Sequence, residues 1–142
     1  MSKGDTFEND FLKLIFIATA IANIADNAAT SPLTNIYVSL HTADPGETGT
    51  QTTSETTYTG YARVAVARTS GGWIVTANSV SPVANIVFGA WTAGAGTITH
   101  FGIGTLSSGA GKLLYKGPVT PNIVLGTGVV PTLGTGSTVT ED

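Results

Sequence analysis

Apolar positions in the first part of the chain recur as they do on one side of a helix. Phe7, Phe11, Leu14 and Ile15 stand three and four residues apart, and Ala18, Ala22 and Ala25 continue the series. This period predicts a helix over residues 6–26, within an N-terminal segment 1–26. Asp5, three residues before Glu8, suits the start: Asp5 can accept from an early backbone N–H while Glu8 reaches back. With Asp10, these acids also suit the positive end of the helix. Phe16, Ile17 and Ile21 fall off the main stripe, so the helix is apolar nearly all round and needs cover on more than one side. A β-sheet on one side and another subunit on the other would supply it. Phe11, Leu14, Phe16, Ile17 and Ile21 are the candidate subunit-interface residues.

After the breaker NAATSPLTN the pattern changes to strands and turns. NIYVSLH (35–41) alternates Ile36, Val38 and Leu40 with Tyr37, Ser39 and His41, the period of a half-buried strand with His41 on its polar face. Residues 45–60 form a long polar loop, read as an exposed or partner-clasping arm. YARVAVAR (61–68) and WIVTANSV (73–80) read as a hairpin joined by SGG. Further strands are expected in 84–91, 97–104, 112–117, 121–126 and 128–133, with Pro131 demoting the last to an edge. The tail 134–142 is polar and extended. The fold class expected is mainly β: an N-terminal α-helix followed by an antiparallel β-sandwich or barrel, with the β-domain at 35–133. The 142 residues read as a single domain, 1–142.

Composition narrows the function classes. Only 11% of residues are charged, against about 25% in an ordinary domain. No charge occurs between Arg68 and Lys112, or between Lys116 and Glu141. Such a surface suits coverage by neighbouring subunits or a coat of threonine hydroxyls. A hydrophobic content of 42% argues against disorder. Six scattered Lys and Arg residues make no basic patch, which argues against direct nucleic-acid binding. The absence of cysteine removes disulfides, cysteine–zinc sites and thiol catalysis. The apolar run LIFIATAIA (14–22) is too short to span a bilayer, and the acids before it oppose a signal peptide.

Chemistry-bearing residues are few. In VSLHTADPGETGT (38–50), Asp44-Pro45-Gly46 fits a β-turn in which Pro45 presets φ and Gly46 takes positive φ. His41, Asp44 and Glu47 could be read as a loose calcium site, but one histidine and two loop acids are a weak donor set. Leaving a strand and turning accounts for all three, so no metal and no cofactor is expected. His100, inside a strand, reads as a hydrogen-bonded core or interface residue. GTLSSGAGK fails the phosphate-loop pattern because Leu113 stands where Ser or Thr is required; it reads as a hairpin turn. Arg63 and Arg68 project to opposite strand faces, each toward a carboxylate or backbone carbonyl. Trp73 and Trp91 read first as core. Tyr58, Tyr61 and Trp91, where exposed, are candidate surface-binding aromatics that could stack on sugar rings. No catalytic set is found.

LHTADPGETGT, YTGYARVAVART and the opening MSKGDTFENDFLKLIF carry a resemblance to small virion structural proteins of tailed bacteriophages, of tail-fibre-like or capsid-decoration type. The resemblance is strongest over residues 1–105. It implies a non-enzymatic role in the phage particle, after assembly in the host cytoplasm, among copies of the same chain and other virion proteins, as a homo-oligomer. A host-surface, carbohydrate-binding β-module is the alternative.

Overall fold

A computed structural model describes residues 5–21 and 33–141. The chain is mainly β, with antiparallel strand pairings and one N-terminal helix, as the sequence pattern requires. The described residues form two compact units: 5–21, 33–35, 67–85 and 134–141 make the first, and 36–66 and 86–133 the second.

In the first unit, α1 (Asp5–Phe16) packs on a three-stranded sheet. The strands are β3 (Trp73–Thr76), β4 (Ser79–Pro82) and β9 (Val139–Thr140), in the order β3-β4-β9. Leu12 and Phe16 are fully buried, and the Phe16 ring meets Trp73 edge-on at 4.8 Å. The helix stops well before residue 26. Ala18 takes a left-handed φ of 56°, and Thr19 N–H turns back onto the Lys13 carbonyl at 3.1 Å. Arg68 closes the end: Nε and one Nη donate to the Ile15 and Leu14 carbonyls at 2.7 and 2.8 Å, and the other Nη to Leu33. Those carbonyls have no partner inside the helix, and a cation suits its negative end. The expected Asp5 side-chain cap and the turns over 22–26 lie outside the described residues. No described helix is long and apolar enough to cross a membrane.

The hairpin in this unit differs from the expected one. Trp73 to Pro82 reverses at Ala77-Asn78, with Ala77 at φ 51°, so 73–80 is two strands rather than one. The SGG segment instead carries the chain away from its previous sheet. The tail is not merely extended: Val139 and Thr140 pair with Val80 and Ser79.

The second unit holds β1 (Asn35–His41), β2 (Val64–Ala67), β6 (Thr97–Gly104) and β7 (Leu113–Val124) in the order β2-β1-β6-β7. It also holds a two-stranded sheet of β5 (Ile86–Val87) and β8 (Thr132–Leu133). Ile36, Val38, Leu40, Phe88, Ile98, Ile103 and Leu133 form its apolar interior. The two expected strands 112–117 and 121–126 are one. β7 runs through Pro118 and Pro121, which its place at the sheet edge tolerates because an edge strand can leave one row of N–H groups unused. A bulge absorbs the irregularity: Ile98 faces Ile123, but His100 faces Pro118. The segment GTLSSGAGK is the β6–β7 connection, closed by Thr105 and Lys112, which confirms its reading as a hairpin turn.

Candidate functional site

The stretch after β1 begins as the turn its residues dictate. Asp44 Oδ1 accepts the Gly46 N–H at 2.9 Å, and Gly46 sits at φ 74°. The rest of the 45–60 segment is not a free arm. It returns across the sheet and closes on it through backbone bonds from Thr42 to Ser54 and from Thr56 to Leu40, each 2.9 Å. Gln51 donates its N–H to Gly111 and accepts from Leu106 N–H on Oε1 at 2.9 Å. Gln51, Thr56 and Tyr58 are buried.

This lid rests on one face of β1 and β6, where Ser39 stands opposite Gly102, and Tyr37 opposite Gly104. The glycines make room for it. A Cβ at Gly102 would meet His41 Nε2 at 2.7 Å, and one at Gly104 would run into the Gln51 side chain. His41 is therefore fully buried, not on a solvated polar face. The alternation was real, but both faces of β1 are covered.

Burial pulls the His41 pKa down from 6.5, against the raising effect of its bond to Thr53. The Thr53 carbonyl can only accept, so Nδ1 carries the proton at 2.9 Å, and Nε2 accepts from the Ser39 hydroxyl at 2.9 Å. This hydroxyl–imidazole pair has catalytic spacing, but both side chains are enclosed, and the imidazole joins sheet to lid through Thr53. Well above pH 6.5 folded and unfolded forms are both neutral at this site. As pH falls below that value the unfolded chain binds a proton that the folded site resists, so stability falls until the lowered folded pKa is passed. Urea unfolding at about pH 7.5 and about pH 5 should show a larger acid loss in the native chain than in His41→Gln. Equal losses would remove His41 from the acid response.

His100 is the register partner of His41 on β6, and its Nδ1 lies 2.9 Å from Thr99 Oγ1. Asp44 and Glu47 point elsewhere, onto Lys116 Nζ at 3.0 and 3.2 Å. The Gly46 N–H first, and then Lys116, hold the Asp44 carboxyl below its usual range; the two acids raise Lys116. An ammonium thus sits where a loop cation would. Among the described residues no three metal-ligating side chains converge. Beside this ion pair the turn and β7 bound an open groove of about 260 Å³, lined by Gly46, Glu47, Gly49, Leu113, Leu114, Tyr115 and Lys116.

A second polar cluster anchors the far end of the lid. Arg63 grips Glu55 through Nε and Nη, both at 2.7 Å, and donates to the Leu106 and Gly109 carbonyls. Tyr61 donates to Glu55 at 2.7 Å and accepts from Leu40 N–H. Burial drives the Tyr61 hydroxyl pKa far up, so it stays protonated. Both arginines thus do what their sequence positions suggest. Glu55 was missed, because one acid in a threonine-rich loop carries no local signal.

The candidate aromatics are mostly withdrawn from solvent. Tyr58 is 4% exposed, with its hydroxyl on the Gly89 carbonyl, so it is no surface platform. Tyr61 is half-buried inside the Glu55 cluster, and half-buried Trp91 donates to the Gly94 carbonyl. Trp73 is core. Of the candidate interface residues, Phe16 is buried in its own unit and is corrected to core; Phe11, Leu14, Ile17 and Ile21 are half-buried. Phe7, not among them, is 43% exposed and lies 6.2 Å from Phe11.

No curated protein matches the chain. The sequence model of one family, described as Podophage GP4 fiber I protein gp80, matches residues 8–140. That span takes in the lid, most of the helix and nearly all of both units, and the chain belongs to the podophage fiber I protein gp80 family.

Proposed function

We propose that the protein is a structural component of the fibre or tail region of a podophage virion, working by packing against copies of itself and other virion proteins rather than by catalysis. The family match over residues 8–140 carries this reading. The distribution of apolar surface supports it. Phe7 is 43% exposed on α1 beside half-buried Phe11 and Leu14. The fibre family supports the tail or fibre region, which the sequence resemblance favours only slightly over capsid decoration.

Deleting the helix would not test this, because Leu12 and Phe16 belong to the core of their unit. Phe7→Ser with Phe11→Ser leaves both in place. Light scattering should give an oligomer for the native chain and a shift of about tenfold or more toward monomer for the double variant. A native chain that remains monomeric at high concentration would sink the self-packing mechanism. Antibody labelling of particles separates tail from head: decoration of the capsid surface alone would overturn the fibre location.

A further inference from the structure

We propose that residues 43–56 are an acid-released lid: a proton on His41 opens the lid locally while the strands beneath it stay paired. His41 is fully buried, with Nδ1 on the Thr53 carbonyl of the lid and Nε2 on the Ser39 hydroxyl of its own strand. The Gly102 backbone closes the space beyond, so tightly that a methyl there would stand 2.7 Å from Nε2. A proton on Nε2 turns that atom from acceptor to donor. The Ser39 hydroxyl then has the Gly102 carbonyl to turn to, 3.3 Å away. Hydrogen bonding survives this exchange, but the new charge stays enclosed.

The groups around the ring do not neutralise that charge. In the sheet the partner of His41 is His100 on β6, and on the lid it is Glu55. Glu55 favours a charge on His41, but Arg63 and Tyr61 already hold its carboxylate at 2.7 Å, and the Arg63 guanidinium opposes that charge. His100 opposes it too, and with both rings protonated two like charges stand directly opposite across β1 and β6. Asp44, which interacts with His100, is engaged by Lys116, itself one row away opposite Gly102. The lid is the part that yields. β1 is bonded along both edges, to β2 and to β6. The lid meets it only at the His41–Glu55 bridge and the Thr42–Ser54 and Thr56–Leu40 bonds, and is held at its far side by Gln51–Gly111 and Thr50–Lys112. Elements held by few bonds open at the lowest free energy. Lifting this one takes Thr53 off Nδ1 and lets water reach the ring. The open form then takes up its proton near the ordinary pKa of 6.5, which the closed form resists, so a fall in pH favours opening.

The test is amide hydrogen exchange of the full chain, read by NMR as protection factors at about pH 7.5 and about pH 5. Thr42, Gln51 and Thr56 donate the N–H groups that close the lid, to Ser54, Gly111 and Leu40. Phe88 and Leu125 donate to Pro131 and Gly96 elsewhere in the same unit and serve as controls. Protection at the three lid amides should fall about tenfold in acid, as for a group whose pKa differs by about one unit between closed and open forms, while the controls keep theirs. In His41→Gln the lid amides should lose this response. An equal fall at Phe88 and Leu125 would mean that acid unfolds the whole unit. That result overturns the proposal, as does a lid without acid response or an undiminished response in His41→Gln. Should that variant lose the Phe88 and Leu125 protection even at the higher pH, the native ring decides. A His41 ring whose own nitrogen signals titrate below 6.5 in the native chain supports the trigger, and one that titrates at or above that value overturns it. All of this is read on the isolated chain and does not depend on which virion proteins it packs against.

Discussion

Arg63→Met is expected to destabilise the second unit by about 3 kcal/mol. The Arg63 side chain is 2% exposed and that of Glu55 13%, so the substitution leaves a carboxylate charged and nearly enclosed. It also strips the Leu106 and Gly109 carbonyls of their donor. Breaking a buried pair by removing one partner costs about 3–5 kcal/mol, and the residual exposure of Glu55 sets the lower end. Urea unfolding of the two chains measures the difference. Adding Glu55→Gln removes the stranded charge and should recover about 1 kcal/mol. A single variant within about 0.5 kcal/mol of the native chain would show that the lid does not depend on this clasp.

Gly104→Ala should cost about 2–3 kcal/mol by a different route. The added methyl is driven into the Gln51 side chain, 2.5 Å from Cγ and 2.6 Å from Nε2. Gln51 has nowhere to retreat. It is fully buried, and a side chain at Gly111 would also collide with its Oε1, so glycines on two sides make its slot. Any displacement also releases the Leu106 N–H from Oε1. Gln51→Ala alone should cost about 1–2 kcal/mol, through the cavity and the orphaned N–H. Combined with Gly104→Ala it should cost less than the sum, with a coupling of at least about 1 kcal/mol, because the truncated residue vacates the space the methyl needs. Strict additivity would mean that the lid and Gly104 do not touch in solution.

These two sites show where sequence reading stopped. β1 and β6 have the bounds their alternation predicts, because a strand's period is local and each residue contributes to it independently. The Asp44-Pro45-Gly46 turn was legible for the same reason: its φ preferences and side-chain bond lie within three residues. The polar loop was misread because threonine and glycine are equally suited to solvent and to a thin layer against a sheet. What folds it down is Gly102 and Gly104, some fifty residues away in the chain and silent without their partners. His41 was placed on the wrong side of burial by the same error.

The helix illustrates the other limit. Its first turns follow from periodicity, but its end is set by Ala18 in a left-handed conformation and by Arg68, more than fifty residues downstream. The hairpin at Ala77-Asn78 lacks the glycine that marks such turns, whereas SGG has two and turns the chain without joining a hairpin. Fold class, strand periods, the turn chemistry, the low surface charge and the absence of cysteine follow from the amino acids alone, since each is local or a simple total. The tertiary structure decided which polar residues are buried, which strands are neighbours, and which carboxylate meets which cation. Those depend on contacts between distant residues, whose strength comes from excluding water at a place no single segment defines.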